Sequence, residues 1–267
     1  MDMMPSRAKP PPADAPARLR FSAVDALRGG AIVWMTAFHF CFDLNYFGYW
    51  RQNFYADPLW TWQRTAIVSL FLFCAGLGQA IATQQGQSWQ RFWRRWAQVA
   101  GCALLVTAGS YWMFPNSFIY FGVLHGIAVM LIVVRLLAPW GRRHPMGLCV
   151  LGALAIAAKF MAAYAMNTTA LAPIAEIFNG RALNWLGLIT RLPITEDYVP
   201  IVPWLGVMLW GLACGQWLLA HRPRRLAVAL PRRAAALAWL GRHSLPWYML
   251  HQLVLLGALA LIAWARA

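Results

Sequence analysis

The sequence predicts an all-α membrane protein: a polytopic helix bundle of about seven transmembrane helices with a cytoplasmic N-terminus. Of its 267 residues, 61% are hydrophobic and only 12% are charged, whereas soluble domains carry roughly 25% charged residues. Seven apolar runs are long enough to cross about 30 Å of hydrocarbon at about 1.5 Å per residue. Arginines are concentrated in every second loop between these runs, as expected of cytoplasmic loops.

The chain begins with a segment, residues 1–20, that is rich in proline and basic side chains. Such a segment cannot bury a core, so we expect a disordered tail. Residues 21–267 are predicted to form a single transmembrane domain, with spans at 26–47, 65–84, 93–113, 118–137, 146–166, 201–220 and 245–265. Two weaker stretches, 171–189 and 234–240, are too short or too interrupted to span and are expected to be re-entrant or interfacial.

The loops orient these spans. The positive clusters follow the second, fourth and sixth spans and comprise Arg91, Arg94 and Arg95, then Arg142 and Arg143, then Arg222, Arg224, Arg225, Arg232 and Arg233. This pattern places the N-terminus inside and the C-terminus outside. The net charge of +15 therefore reports membrane orientation and not a nucleic-acid partner. The long outer loop, 167–200, is either a lid over an acceptor site or a plain connector.

The first span carries ionisable residues on one face. With Asp25 at zero, a spacing of about 100° per residue places Arg28 at about 300°, His39 at about 320° and Asp43 at about zero. An ionisable side chain at mid-bilayer costs at least ~2.5 kcal/mol. This face should therefore line a bundle interior or a wet cavity. The alternative is that these groups only hold neighbouring helices together.

His39 is the candidate catalytic residue on this face. Asp43 lies four residues further along the helix, where it is expected to fix one ring nitrogen while the other accepts a proton or an acyl group. Toward the outer side, His125, Asp197 and Tyr198 are expected to line the acceptor end of the same crevice. His125 is equally compatible with a packing role.

The seventh span begins with a second polar face. Ser244 suits a helix N-cap, and Ser244, Tyr248 and His251 lie within about 60° of one another. A helix N-terminus beside Arg242, with Arg28 at the inner end of the first span, favours a ligand that carries phosphate groups. His251 is also compatible with packing. The five cysteines are isolated within apolar runs, so we expect no metal site.

Five motifs in order resemble a known family: DALRG (25–29), FHxxxDL (38–44), FGVLH (121–125), DYVPxxPW (197–204) and GRHSLxxYxxHQ (241–252). They are similar to bacterial membrane proteins grouped with the catalytic domain of heparan-alpha-glucosaminide N-acetyltransferase. In the related acyltransferase-three proteins an R-x10-H pattern in the first span carries function, and Arg28 and His39 have this spacing. The resemblance implies a catalytic His39 and an Arg28 that helps to hold the donor.

The function implied is transfer of an acyl group across a bacterial inner membrane. Acetyl-CoA or another acyl-CoA would bind from the cytoplasm, and a hydroxyl or amine, on a glycan or a small molecule, would accept the group outside. Membrane lipid is an expected partner, and the sequence leaves the oligomeric state open. Two alternatives remain: a proton-coupled transporter or channel-like protein with an intramembrane relay, and a non-catalytic membrane subunit.

Overall fold

The computed structural model describes residues 21–168, 171–226 and 231–266, and the predicted tail lies outside this range. The described residues form ten α-helices: α1 (Ser22–Tyr46), α2 (Pro58–Gln84), α3 (Trp89–Met113), α4 (Val123–Arg143), α5 (Pro145–Thr168), α6 (Ala175–Asn179), α7 (Ile201–His221), α8 (Pro223–Leu226), α9 (Arg232–Arg242) and α10 (Ser244–Trp264). Their only β pairing is an isolated bridge between Phe121 and Tyr198. The all-α class is thus confirmed.

Seven long helices, α1 to α5, α7 and α10, coincide with the seven predicted apolar runs. Five of them, α2, α4, α5, α7 and α10, are long and apolar enough to cross a membrane. Helices α1 and α3 have 25 residues each, which is long enough, but both carry several charged residues. Seven crossings and the cytoplasmic N-terminus therefore stay predictions.

Several predicted segments differ in the structure. Helix α2 begins at Pro58, seven residues before the predicted start at 65, because Asp57 caps its N-terminus. Helix α4 begins at Val123, five residues later than the predicted start at 118, because the preceding residues pair with the chain before α7 through the Phe121–Tyr198 bridge. The stretch 171–189 contains only short helical pieces, Ala172–Ile174, α6 and Asn184–Leu186. None of these is long enough to span. The other weak stretch, 234–240, lies within α9.

The directions of neighbouring long helices agree with strict alternation across a membrane. Helices α1 and α10, the first and seventh long helices, run parallel, since Thr36 contacts Trp247 and Asp43 contacts Gln252 further along both helices. Helices α2 and α7 are also parallel, and α5 and α7 are antiparallel; the contacts that show this are Phe73–Gly211, Ala80–Gly215, Gly152–Gly206 and Cys149–Trp210. These directions are those that the predicted topology requires.

Glycines set the closest helix contacts. A Cβ atom at Gly241 of α9 would lie 1.8 Å from the backbone oxygen of Asp25, and one at Gly29 of α1 would lie 1.9 Å from that of Leu237. Small residues let two helix backbones approach in this way. The contact holds α9 against α1 and so places the start of α10 beside the charged end of α1.

Candidate active site

A cavity of about 980 Å³ lies between α1, α2, α3, α4 and α10. One end is charged: Asp25, Arg28, Arg95 and Arg242 line it. The Arg28 guanidinium lies 3.4 Å from the Asp25 carboxylate. Because this end has three arginines and one aspartate, its net charge is positive. The rest of the lining is mostly apolar, and on α4 it reaches Val123, the first residue of that helix.

Four of the five residues predicted to hold a phosphate-bearing donor line this cavity: Arg28, Arg242, Ser244 and Tyr248. They come together because α9 packs tightly on α1 and passes directly into α10. The fifth, His251, is absent from the lining. It faces α1 instead.

Arg95 was not predicted as a site residue, because it had been assigned to a cytoplasmic loop. It lies within α3 and lines the cavity together with Gln98 and Cys102. These residues are three and four positions apart, which places them on one helix face. That spacing is the sequence signal that could have identified Arg95.

His39 and His251 form a direct pair. Their rings meet edge to edge and are nearly coplanar, with centroids 4.9 Å apart and planes inclined by 13°. The Nδ1 atom of His39 lies 2.7 Å from the Nε2 atom of His251. His251 is 7% exposed. The structure thus gives His39 a second imidazole as its partner, which sequence spacing did not indicate.

Asp43 does not contact His39 as predicted. Its Oδ1 atom accepts a hydrogen bond of 2.7 Å from the Gln252 amide, and in the described residues no hydrogen bond joins it to His39. The partner differs because α10 packs along the polar face of α1. The ionisable face of α1 is thereby divided. Asp25 and Arg28 line the cavity, whereas His39 and Asp43 contact α10.

The cavity and the histidine pair meet at Tyr248. This residue lines the cavity, and its ring lies 5.9 Å from the ring of His251. His39 itself is not among the residues that line the cavity. The prediction that His39 lines a wet crevice is therefore wrong for this cavity: His39 lies behind the wall that contains Tyr248.

His125 and Asp197 both lie at the N-terminus of α4, and neither they nor Tyr198 line the cavity, where the sequence analysis expected them. Asp197 accepts a 2.7 Å hydrogen bond from the Val123 backbone N–H. The Gly122 backbone N–H donates to Nδ1 of His125 at 3.2 Å, and Nε2 of His125 lies 3.0 Å from the Thr107 hydroxyl. Both ring nitrogens of His125 are thus occupied, which is the packing role left open by the sequence.

The loop before α7 is held by further hydrogen bonds and by burial. The Tyr198 hydroxyl donates to the backbone oxygen of Asn184 at 2.6 Å. Burial raises the pKa of Asp197 to about 6, against the opposing effect of the hydrogen bond from Val123. Burial also raises the pKa of the Tyr198 phenol. Asp197 and Tyr198 thus hold the loop before α7 at the N-terminus of α4, beside the Val123 end of the cavity.

Among residues 21–168, 171–226 and 231–266, no three His, Cys, Asp or Glu side chains are placed to share a metal ion. The site consists instead of an arginine-rich cavity and an adjoining imidazole pair. Guanidinium groups suit phosphate recognition, and imidazoles suit proton transfer.

Residues 20–253 match the family described as heparan-alpha-glucosaminide N-acetyltransferase, catalytic. A search of curated proteins finds no match, and a search of solved structures finds none.

Proposed function

Because the chain belongs to the family of heparan-alpha-glucosaminide N-acetyltransferase catalytic domains, we propose that it is a membrane acyltransferase that uses acyl-CoA from the cytoplasm. It transfers an acetyl or other acyl group to a hydroxyl or amine acceptor, most simply on a glycan, outside a bacterial inner membrane. The membrane topology is the predicted one, with seven spans and the N-terminus inside.

The observation that carries this proposal is the cavity with arginines at one end. Acyl-CoA carries several phosphate groups, and Arg28, Arg95 and Arg242 supply guanidinium groups at one end of a space of about 980 Å³. Charge-assisted hydrogen bonds between guanidinium and phosphate are among the stronger ones in proteins. The start of α10 adds the positive end of a helix dipole. A polyanionic donor therefore fits this end.

The shape of the cavity suits a reaction between two membrane faces. On α3 its lining extends from Phe92 to Leu105, or about 20 Å at about 1.5 Å per residue. With the predicted topology, the arginine end opens toward the cytoplasm, and Val123 lies toward the outside. A thioester carried along this length would approach an acceptor that enters near the start of α4.

His39 is the proposed catalytic histidine. As a general base it takes a proton from the acceptor hydroxyl or amine; as an acyl carrier it accepts the acyl group and passes it on. Because His39 lies behind the wall that contains Tyr248, either role requires the substrate or the Tyr248 side chain to move. Loss of a general base typically lowers a rate by about 10²- to 10⁴-fold, whereas loss of an acyl carrier abolishes transfer.

The test uses purified protein in liposomes with labelled acetyl-CoA, and it scores thiol release and label on glycans supplied from the far side. We expect Arg28→Ala to weaken acetyl-CoA binding by about 10- to 100-fold, because a hydrogen bond to a charged group contributes about 1.5–3 kcal/mol. The control is Arg143→Ala, which removes an exposed arginine that does not line the cavity. His39→Ala should retain donor binding and lose turnover.

If the wild type neither binds acetyl-CoA nor turns it over, the acyltransferase proposal is refuted. Proton flux through the same liposomes would then support a proton-coupled transporter. Inertness in both assays would support a non-catalytic subunit.

A further inference from the structure

We propose that His251 is the positioning residue for His39: it holds His39 in the tautomer with a proton on Nδ1 and leaves Nε2 unprotonated as the reactive nitrogen. The catalytic consequence rests on the proposed acyltransferase function. The tautomer itself can be tested independently of any activity.

The argument begins at the backbone of α10. Nδ1 of His251 lies 2.8 Å from the carbonyl oxygen of Tyr248 and 3.2 Å from that of Trp247. Carbonyl oxygens only accept hydrogen bonds. Nδ1 of His251 therefore carries a proton, and in the neutral ring its Nε2 atom carries a lone pair.

The second step assigns the proton between the two rings. Nδ1 of His39 and Nε2 of His251 are 2.7 Å apart, and a hydrogen bond between two ring nitrogens requires one proton. Because Nε2 of His251 is the acceptor, Nδ1 of His39 is the donor. A doubly protonated His251 is disfavoured, since this ring is 7% exposed and its hydrogen-bond partners are carbonyl oxygens and an imidazole. A buried charge without an ionic partner is costly.

The third step concerns the remaining nitrogen. With its proton on Nδ1, neutral His39 has a lone pair on Nε2, and no residue in the described part of the chain forms a hydrogen bond with that atom. The two rings are nearly coplanar, at 13°, and the hydrogen bond between them lies close to both ring planes, so rotation of His39 would break it. A backbone carbonyl thus takes, through a second imidazole, the orienting role that a carboxylate has in a Ser-His-Asp triad.

Asp43 is not needed for this arrangement. Its Oδ1 atom is bonded to Gln252. His251 is also absent from the cavity lining, so loss of its side chain should change how His39 reacts and not how the donor binds.

The direct test is nitrogen NMR of the full-length protein in nanodiscs with ¹⁵N-labelled histidine. The chain has six histidines, so single His→Gln variants suffice for assignment. The expected wild-type result is a protonated Nδ1 and an unprotonated Nε2 in His39, with a protonated Nδ1 in His251. A protonated Nε2 in His39, or a charged imidazolium in the pair, would overturn the proposal whether or not the protein has activity.

Variants add the functional readout. His251→Phe keeps an aromatic ring at this position but removes the acceptor, so His39 should lose its single tautomer and kcat should fall by about 10- to 100-fold, the size of effect found for partners that orient metal-binding histidines. KM for acetyl-CoA should not change. His251→Gln, whose amide oxygen can accept from Nδ1 of His39, should restore part of kcat. Asp43→Asn should leave the His39 signals in place.

A change in KM for acetyl-CoA without a fall in kcat would contradict the positioning role. An equal fall in kcat for His251→Phe and His251→Gln would contradict it as well. If NMR shows the expected tautomer but the protein transfers no acetyl group, the acyltransferase function is refuted and the histidine arrangement stands. If His251→Phe fails to fold, the wild-type spectrum still decides the tautomer.

Discussion

Gln252 donates a 2.7 Å hydrogen bond to Asp43, which joins α10 to α1. Asp43 lies one helix turn beyond His39, and Gln252 directly follows His251. Asp43 is 1% exposed. Its Oδ2 atom and the Oε1 atom of Gln252 are buried without a hydrogen-bond partner in the described residues. The two side chains therefore depend on each other for the one bond that they make.

Removal of only one of these partners should destabilise the protein. Asp43→Leu leaves the buried Gln252 amide without its acceptor, which typically costs about 1–3 kcal/mol. The double variant Asp43→Leu/Gln252→Leu should recover most of this loss, because replacing both partners by apolar groups is nearly neutral. Thermal unfolding in detergent measures both. Additive losses in the double variant would show that the hydrogen bond is not the source of the effect.

Two adjacent glycines in α1 should respond in opposite ways. A Cβ at Gly29 would lie 1.9 Å from the Leu237 backbone oxygen, whereas a Cβ at Gly30 meets no atom within 4 Å. Gly29→Ala should lower stability by about 1–3 kcal/mol, as overpacking does, and it should weaken acetyl-CoA binding because α9 carries Arg242. Gly30→Ala should be neutral or more stable by up to about 1 kcal/mol.

The measurement is thermal unfolding of both variants, with acetyl-CoA affinity from titration. Equal behaviour of Gly29→Ala and Gly30→Ala would mean that α9 does not approach α1 this closely.

Arg135 of α4 fixes the turn between α2 and α3. It is 7% exposed, it donates to the backbone oxygen of Gln87, and its guanidinium lies 5.1 Å from the ring of Trp89 and 5.5 Å from that of Phe92. Gln87 and Phe92 line the cavity. Through these residues Arg135 supports the wall of the cavity proposed to bind the donor.

Arg135→Lys keeps the charge but loses the planar group, so we expect acetyl-CoA affinity to fall by up to about 30-fold, because a desolvated cation–π contact contributes about 1–2 kcal/mol. Arg142→Lys, an exposed substitution about two helix turns from Arg135 on the same helix, is the matched control. Unchanged acetyl-CoA affinity in Arg135→Lys would show that the turn between α2 and α3 does not contribute to donor binding.

Asp197 should make stability depend on pH. Its pKa is raised by burial from 3.8 to about 6, and each unit corresponds to about 1.36 kcal/mol. The folded state therefore holds the proton more tightly than the unfolded state. The stabilisation from protonated Asp197 is complete below about pH 4 and is lost as the pH rises to about 6, for a change of up to about 3 kcal/mol.

Asp197→Asn keeps an oxygen acceptor for the Val123 N–H and removes the ionisation. It should be more stable than the wild type at about pH 8 and similar at about pH 4. Asp197→Leu removes the acceptor and should be less stable at both. Thermal unfolding at the two pH values provides the measurement, and a gain for Asp197→Asn that is the same at both would contradict a buried, titrating carboxyl.

The sequence alone located all seven long helices, and it brought together the ionisable face of α1 and the start of α10, which both contribute to the lining of one cavity. These features depend on hydrophobic run length and on the 3.6-residue period, both of which are local properties of the chain. Arg28, Arg242, Ser244 and Tyr248, which the sequence analysis grouped, line one cavity in the structure, and their role in donor binding stays a prediction. Local spacing also favoured Asp43 as the partner of His39, since it lies one helix turn away.

The tertiary structure decided which groups actually meet. His39 and His251 are 212 positions apart, and their contact depends on the rotation and offset with which α10 packs along α1. The same packing assigns Asp43 to Gln252, and the approach of α3 brings Arg95 to the cavity. A helical period specifies which side chains share a face, but the element that covers that face is set by the lowest-energy packing of the whole bundle.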